Sequence, residues 1–175
     1  MKSPTSSVRD FALKPMLFTQ DRQPEGHYFA LPRVSSENRT WIPGQFLDGD
    51  VVAGDGLTIF SEAQTWHAAF LQSSILMAWV DVFAGRLESR RRFSPDLCYF
   101  PIPFPDLDRD AQVELGLAWD GVATARQEFP GATLAELYDP TSNPPGLLDA
   151  HRELDRVVDR TFGAKRALKT QEERL

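Results

Sequence analysis

The chain has a single cysteine, Cys98, in 175 residues. An internal disulfide framework is thereby excluded, and a reducing cytoplasmic setting is expected. It has no run of eighteen apolar residues and no signal peptide, and Lys14 and Pro15 break the first apolar patch, around Phe11 to Phe18. A membrane partner is therefore not expected. Its three histidines, His27, His67 and His151, are scattered and have no HxxxH or CxxC companion, which argues against a metal site. Ser35 and His67 have no Gly-x-Ser-x-Gly elbow to support a hydrolytic triad. Gly54-Asp55-Gly56 lacks the third glycine, the lysine and the following helix of a phosphate loop. Positive charge is in deficit, with a net of −6. A generally basic nucleic-acid binder is excluded, yet the deficit is local: residues 106–140 hold eight acids and two bases. The remainder is close to neutral.

What is present centres on Ile75 to Pro105. Ile75, Leu76, Trp79, Val80, Val82 and Phe83 predict a helix buried on most sides, within a helical segment of roughly 65–84 that Gly85 ends. Arg86, Glu88, Arg90, Arg91 and Arg92 then bring five charges within seven residues. Leu97 to Phe100 reads as a short strand before the prolines at 101, 103 and 105. A charged hairpin or loop held between rigid elements suits a recognition surface.

The flanks divide in character. Residues 1–10 read as a flexible start and residues 20–26 as a turn. Tyr28–Leu31 and Leu57–Phe60 read as strands, with turn signals at Asp48-Gly49-Asp50 and Gly54-Asp55-Gly56. After Pro105, Asp106 or Asp108 caps a helix to about Phe129, with an apolar face of Val113, Leu117, Val122, Ala125 and Phe129. Thr133 to Glu136 has the form of a capping box. Pro144-Pro145 starts a helix carrying Leu147, His151, Leu154 and Val158 on one face, stopped by Gly163. The charged tail, 164–175, is expected to fray. The fold class is α+β: an irregular β-rich unit with a buried helix over 1–105, then an α-helical domain over 106–175. At 42% hydrophobic the chain can build a real core.

Three further features admit two readings each. Asn143-Pro144-Pro145 has the outline of an amino-methyltransferase motif, but Gly146 stands where a base-stacking aromatic is needed. A helix-start turn is the better reading. Arg33, Ser35, Ser36, Asn38 and Arg39 offer guanidinium, hydroxyl and amide donors suited to phosphates, or else form a turn that satisfies itself. Trp41 is either a stacking platform or core.

The segments YFALPRVSSENRTWIPGQFL, MAWVDVFAGRLESRRRFS, FPIPFPD and LAELYDPTSNPPGLLDAHRELDRVVDRTFG resemble successive C-terminal segments of MmeI-like enzymes, over residues 8–165 in order. These are type IIL (IIG) restriction–modification proteins carrying a DNA adenine N6-methyltransferase. The resemblance implies the end of a target recognition domain followed by a helical C-terminal domain. Double-stranded DNA is the expected partner, together with a methyltransferase domain in cis or on another chain. That domain would bind S-adenosylmethionine; no cofactor or catalytic residue is expected here. The chain is then a short reading frame from a split or decayed gene, or a portion of a larger protein. By resemblance, Glu88 and Arg90 read the base pair beside the methylated adenine and Arg92 contributes to a neighbouring position. Their chemistry points to C·G, since a carboxylate accepts from cytosine N4 and a guanidinium donates to guanine O6 and N7. Both lie in a segment read as extended, so they leave one face. Arg33, Ser35, Ser36, Asn38, Arg39, Arg86 and Arg91 are the DNA-backbone candidates. The competing readings are an exposed Glu–Arg ion pair in a solvated loop, and a protein–protein module docking through the acidic helix.

Overall fold

The structure is a computed structural model and describes residues 5–14, 16, 22–166 and 168–175. The expectations for residues 1–4 and 17–21 lie outside the described residues. Within the expected flexible start, α1 spans Ser6–Ala12. Then follow β1 (Tyr28–Pro32), β2 (Val34–Ser35), β3 (Gln45–Leu47), β4 (Leu57–Ser61), α2 (Thr65–Leu71) and α3 (Ser74–Phe83). The hairpin strands β5 (Gly85–Leu87) and β6 (Arg90–Arg92) come next, then α4 (Pro95–Cys98), α5 (Arg109–Gln127), α6 (Leu134–Leu137) and α7 (Pro145–Thr161). The α+β class holds.

Two small antiparallel sheets form, in the orders β3-β1-β4 and β2-β6-β5. β1 is central in the first, with Phe29 opposite both Phe46 and Phe60. Its residues Tyr28 to Leu31 are all buried, and Pro32, which has no N–H to give a ladder, sits at the strand's end.

The helix expected over 65–84 is two helices. Ser73 interrupts it: its Oγ accepts from the Leu76 N–H at 3.3 Å and donates to the Phe70 carbonyl at 2.8 Å. Such local bonding is what lets serine cap a helix rather than continue one. The strand expected at Leu97 to Phe100 is instead the single helical turn α4, which Pro95 opens at its first position.

α5 is capped by Asp108, which accepts from the Ala111 N–H at 2.8 Å. Its buried face differs from the expected one: Leu115, Gly116, Trp119 and Val122 face inward, while Val113 and Leu117 are exposed. At Gly116 a Cβ would meet Thr65 Oγ1 at 2.6 Å, so glycine makes room for the Thr65 side chain of α2 against α5. The Thr133–Glu136 capping box forms as expected. α7 buries Leu147, His151, Leu154 and Val158 and ends before Gly163, whose φ is +90°.

One hydrophobic core runs from Phe29 and Leu31 through Phe70, Leu76, Val80 and Phe93 to Trp119, Leu147, Leu154 and Val158. A polar network threads it. Trp41 is core, not a platform: it stacks on His151 at 4.2 Å and its indole N–H donates to Asp155 at 3.2 Å. Asp155 also accepts from the Ser74 backbone N–H at 2.6 Å. Arg126 donates to the Gly44 carbonyl at 2.8 Å, to the Gln72 side chain and to Tyr138, and lies 5.0 Å over the Trp119 ring. The tail does not fray. Arg174 donates to Asp159 at 3.0 and 2.9 Å, and Gln171 to the Ala78 carbonyl at 3.3 Å.

Candidate nucleic-acid interface

The charge cluster after α3 is a tight hairpin. Leu87 pairs with Arg90, so Glu88 and Ser89 are the two central residues of its turn. Such turns ask for a positive φ, usually supplied by glycine or asparagine; here Glu88 supplies it, at φ +58°. The expectation of an extended segment through Glu88 and Arg90 is therefore corrected. The turn nonetheless brings the two side chains together, Arg90 Nη2 donating to Glu88 Oε2 at 2.9 Å. Both remain open to solvent, at 47% and 77% exposure.

Register sorts the arginines by face, because residues directly opposite in an antiparallel pair share a side and neighbours along a strand alternate. Ser35 and Arg86 each lie opposite Arg91, and the three share one face. On that face Arg91 grips Asp81 of α3 with two hydrogen bonds, at 2.5 and 2.9 Å, and Arg86 joins at 3.1 Å. Burial pushes the Asp81 carboxyl up, but hydrogen bonds and charge from Arg91, with Arg86 adding, hold it below its ordinary range. Arg91 also donates to the carbonyls of Arg39 at 2.7 Å and Ser36 at 3.3 Å. Ser35 is buried, and its Oγ has no hydrogen-bond partner among the described residues. Ser35 and Arg91 thus belong to the hairpin's foundation.

The other face carries Leu87, Arg90 and Arg92 with Val34. Arg92 and Arg33 line one surface cleft of about 490 Å³. Arg33 lies 3.5 Å from the exposed Asp55. Ser36 and Asn38 partly satisfy each other, the Asn38 backbone N–H donating to Ser36 Oγ at 3.2 Å. Ser36, Asn38 and Arg39 line a second cleft, of about 560 Å³, facing Asp139. Hence the ten candidates form a tip (Glu88, Arg90), a flank (Arg92, Arg33), a neighbouring loop (Ser36, Asn38, Arg39) and a foundation (Ser35, Arg86, Arg91).

Three residues went unread in the sequence. Asp81 was legible as the sole acid in the apolar run of α3. Glu37 and Ser89 were not, because their hydrogen bond of 2.7 Å spans 52 positions.

The Gly54-Asp55-Gly56 and Asn143-Pro144-Pro145 stretches take the places of a turn and a helix start. Gly56 leads into β4 rather than a helix, and Asn143-Pro144 simply opens α7, with Asn143 Oδ1 buried. Among the described residues no group of three or more histidine, cysteine or acidic side chains could hold a metal ion. No helix among the described residues is long and apolar enough to cross a membrane.

An α+β body that pins a cation-bearing hairpin from beneath and leaves its tip open has the form of a recognition module. The chain belongs to the MmeI family. Residues 1–106 match the family described as "MmeI, target recognition domain", and residues 108–175 match "MmeI, C-terminal domain". It is 34% identical over 174 residues to DNA methyltransferase A of Bacillus subtilis (strain 168), covering 99% of this chain and 20% of that protein. It also superposes on the structure of the type IIL restriction–modification enzyme MmeI in complex with DNA. There the TM-score is 0.89 and the identity 34%, over 99% of this chain and 23% of that one. The chain thus spans about a fifth of the length of each relative.

Proposed function

We propose that this chain is the sequence-reading part of a site-specific DNA adenine methyltransferase of the restriction–modification type. Double-stranded DNA is its ligand, and catalysis and S-adenosylmethionine belong to a methyltransferase part in cis or on another chain, in the cytoplasm. The observation that carries the reading is the hairpin tip, where an exposed carboxylate and an exposed guanidinium lie 2.9 Å apart. One accepts and the other donates, as the two halves of a C·G pair require. Arg92 on the same face serves the next position, and Arg33, Ser36, Asn38 and Arg39 approach phosphates. Residues 1–105 act as the recognition unit and 106–175 as its helical support, on one shared core.

A competing reading has α5 as a protein-docking helix, favoured by exposed Val113 and Leu117 beside Glu114 and Asp120. An exposed ion pair alone adds little stability, so the tip pair has no strong structural reason to exist.

The test is a chimera in which these residues replace the equivalent segment of a family enzyme. Glu88→Lys combined with Arg90→Asp is expected to move the preferred pair from C·G to G·C. A preference that stays at C·G, or a specificity untouched by the double change, removes the assignment.

A further inference from the structure

The tip of the reading hairpin is held from outside by one side-chain bond. Ser89 Oγ donates to Glu37 Oε1 at 2.7 Å, joining the turn to a loop 52 positions earlier. That loop is itself fixed, because Arg91 donates to the carbonyls on both sides of Glu37, those of Ser36 and Arg39. Glu37 is thus an anchored post beside a turn that needs anchoring. Glu88 sits at φ +58°, a conformation that side-chain-bearing residues rarely adopt and that persists only where surroundings impose it. Were the turn to relax, the Glu88 and Arg90 side chains would lose the 2.9 Å bond that brings them together. The Glu37 carboxyl is held below its ordinary range chiefly by the Ser89 bond, with the charges of Arg90 and Arg91 contributing. The post therefore keeps its charge, and with it an attraction for Arg90, at any pH near neutral.

We propose that Glu37 and Ser89 form a clasp that positions the hairpin tip, so that base-pair discrimination by Glu88 and Arg90 depends on the loop at 36–39. Glu37 is a positioning residue and touches no base. The inference rests on the reading of the tip given above.

The experiment measures binding of the chimera to two duplexes that differ only by C·G against G·C at the read position, across a range of salt. Glu37→Ala and Ser89→Ala are each expected to lower the preference for C·G by roughly tenfold, within the worth of one good base contact. Combined, they lose no more than either alone, because they break the same bond. The dependence of affinity on salt stays parallel to the parent's, since no phosphate contact is removed. Glu37→Gln, whose amide oxygen still accepts from Ser89, keeps the preference. Discrimination that survives both alanine changes overturns the clasp while leaving the reading pair intact. A parent with no preference between the duplexes overturns the reading and the clasp together. An equal loss on both duplexes, matched by a fall in melting temperature and not rescued by glutamine, assigns Glu37 to folding alone.

Discussion

Two titratable residues one turn apart on α7 are buried with opposite consequences. His151 faces the Tyr138 hydroxyl at 2.5 Å, and burial, with the nearby Arg126 charge, pushes its pKa from 6.5 to about 3. Asp155 is pushed from 3.8 up to about 6 by burial, despite its bonds from Ser74. As pH falls from 6.5, the unfolded chain takes a proton at His151 that the folded chain refuses, so stability declines. From about 6 down to 3.8 the folded chain alone takes a proton at Asp155, and the two contributions cancel. Below 3.8 the decline resumes until His151 is protonated in both states. Asp155→Asn removes the compensation. Its denaturation midpoint, relative to its own value at pH 7, is expected to keep falling between pH 6 and 4 more steeply than the parent's. Parallel profiles for the two proteins would show that Asp155 is already ionised in the fold.

At the scale of elements, the hairpin trades stability for geometry. Replacing Glu88 with glycine should relieve the strained φ and stabilise the fold by about 0.5–1 kcal/mol. Sequence discrimination should fall at the same time; thermal unfolding and duplex binding measured on the one variant check both halves. A Glu88→Gly protein less stable than its parent would mean that the Glu88–Arg90 bond outweighs the strain. The same turn shows where the sequence was legible and where it was not. The cluster of arginines after a buried helix was plain, and so was α7, whose single apolar face leaves one way to lie down. The division of those arginines into inner and outer faces was hidden, because Glu88-Ser89 lacks the Asn-Gly or Gly-x signature that would have placed the turn. On α5, Val113 with Leu117 competes with Leu115 and Trp119 for the core, and periodicity alone cannot choose between two overlapping stripes. In the fold Leu115, Gly116, Trp119 and Val122 face inward, with Gly116 leaving room for Thr65, a tertiary fact. Ser73 likewise reads as an ordinary helix residue until its Oγ is seen to cap α3.

For the whole molecule, the last residues close the structure rather than trail from it. Arg174 and Asp159 are 9% and 3% exposed, and removing one partner from a buried pair leaves a charge without compensation, at a cost of about 3–5 kcal/mol. Arg174→Ala should lose stability on that scale, and Arg174→Met with Asp159→Leu should regain most of it; chemical denaturation of the three proteins decides. A midpoint for Arg174→Ala equal to the parent's would return the tail to a frayed end. Arg126 carries a longer-range consequence. Its guanidinium, from the segment that matches the C-terminal domain, satisfies Gly44 and Gln72 in the segment that matches the target recognition domain. A chain that took its 108–175 segment from a relative lacking an arginine at this position would leave the Gly44 carbonyl and the Gln72 side chain without this donor. The two segments should therefore be exchanged between relatives more readily as one unit than across a junction near residue 107.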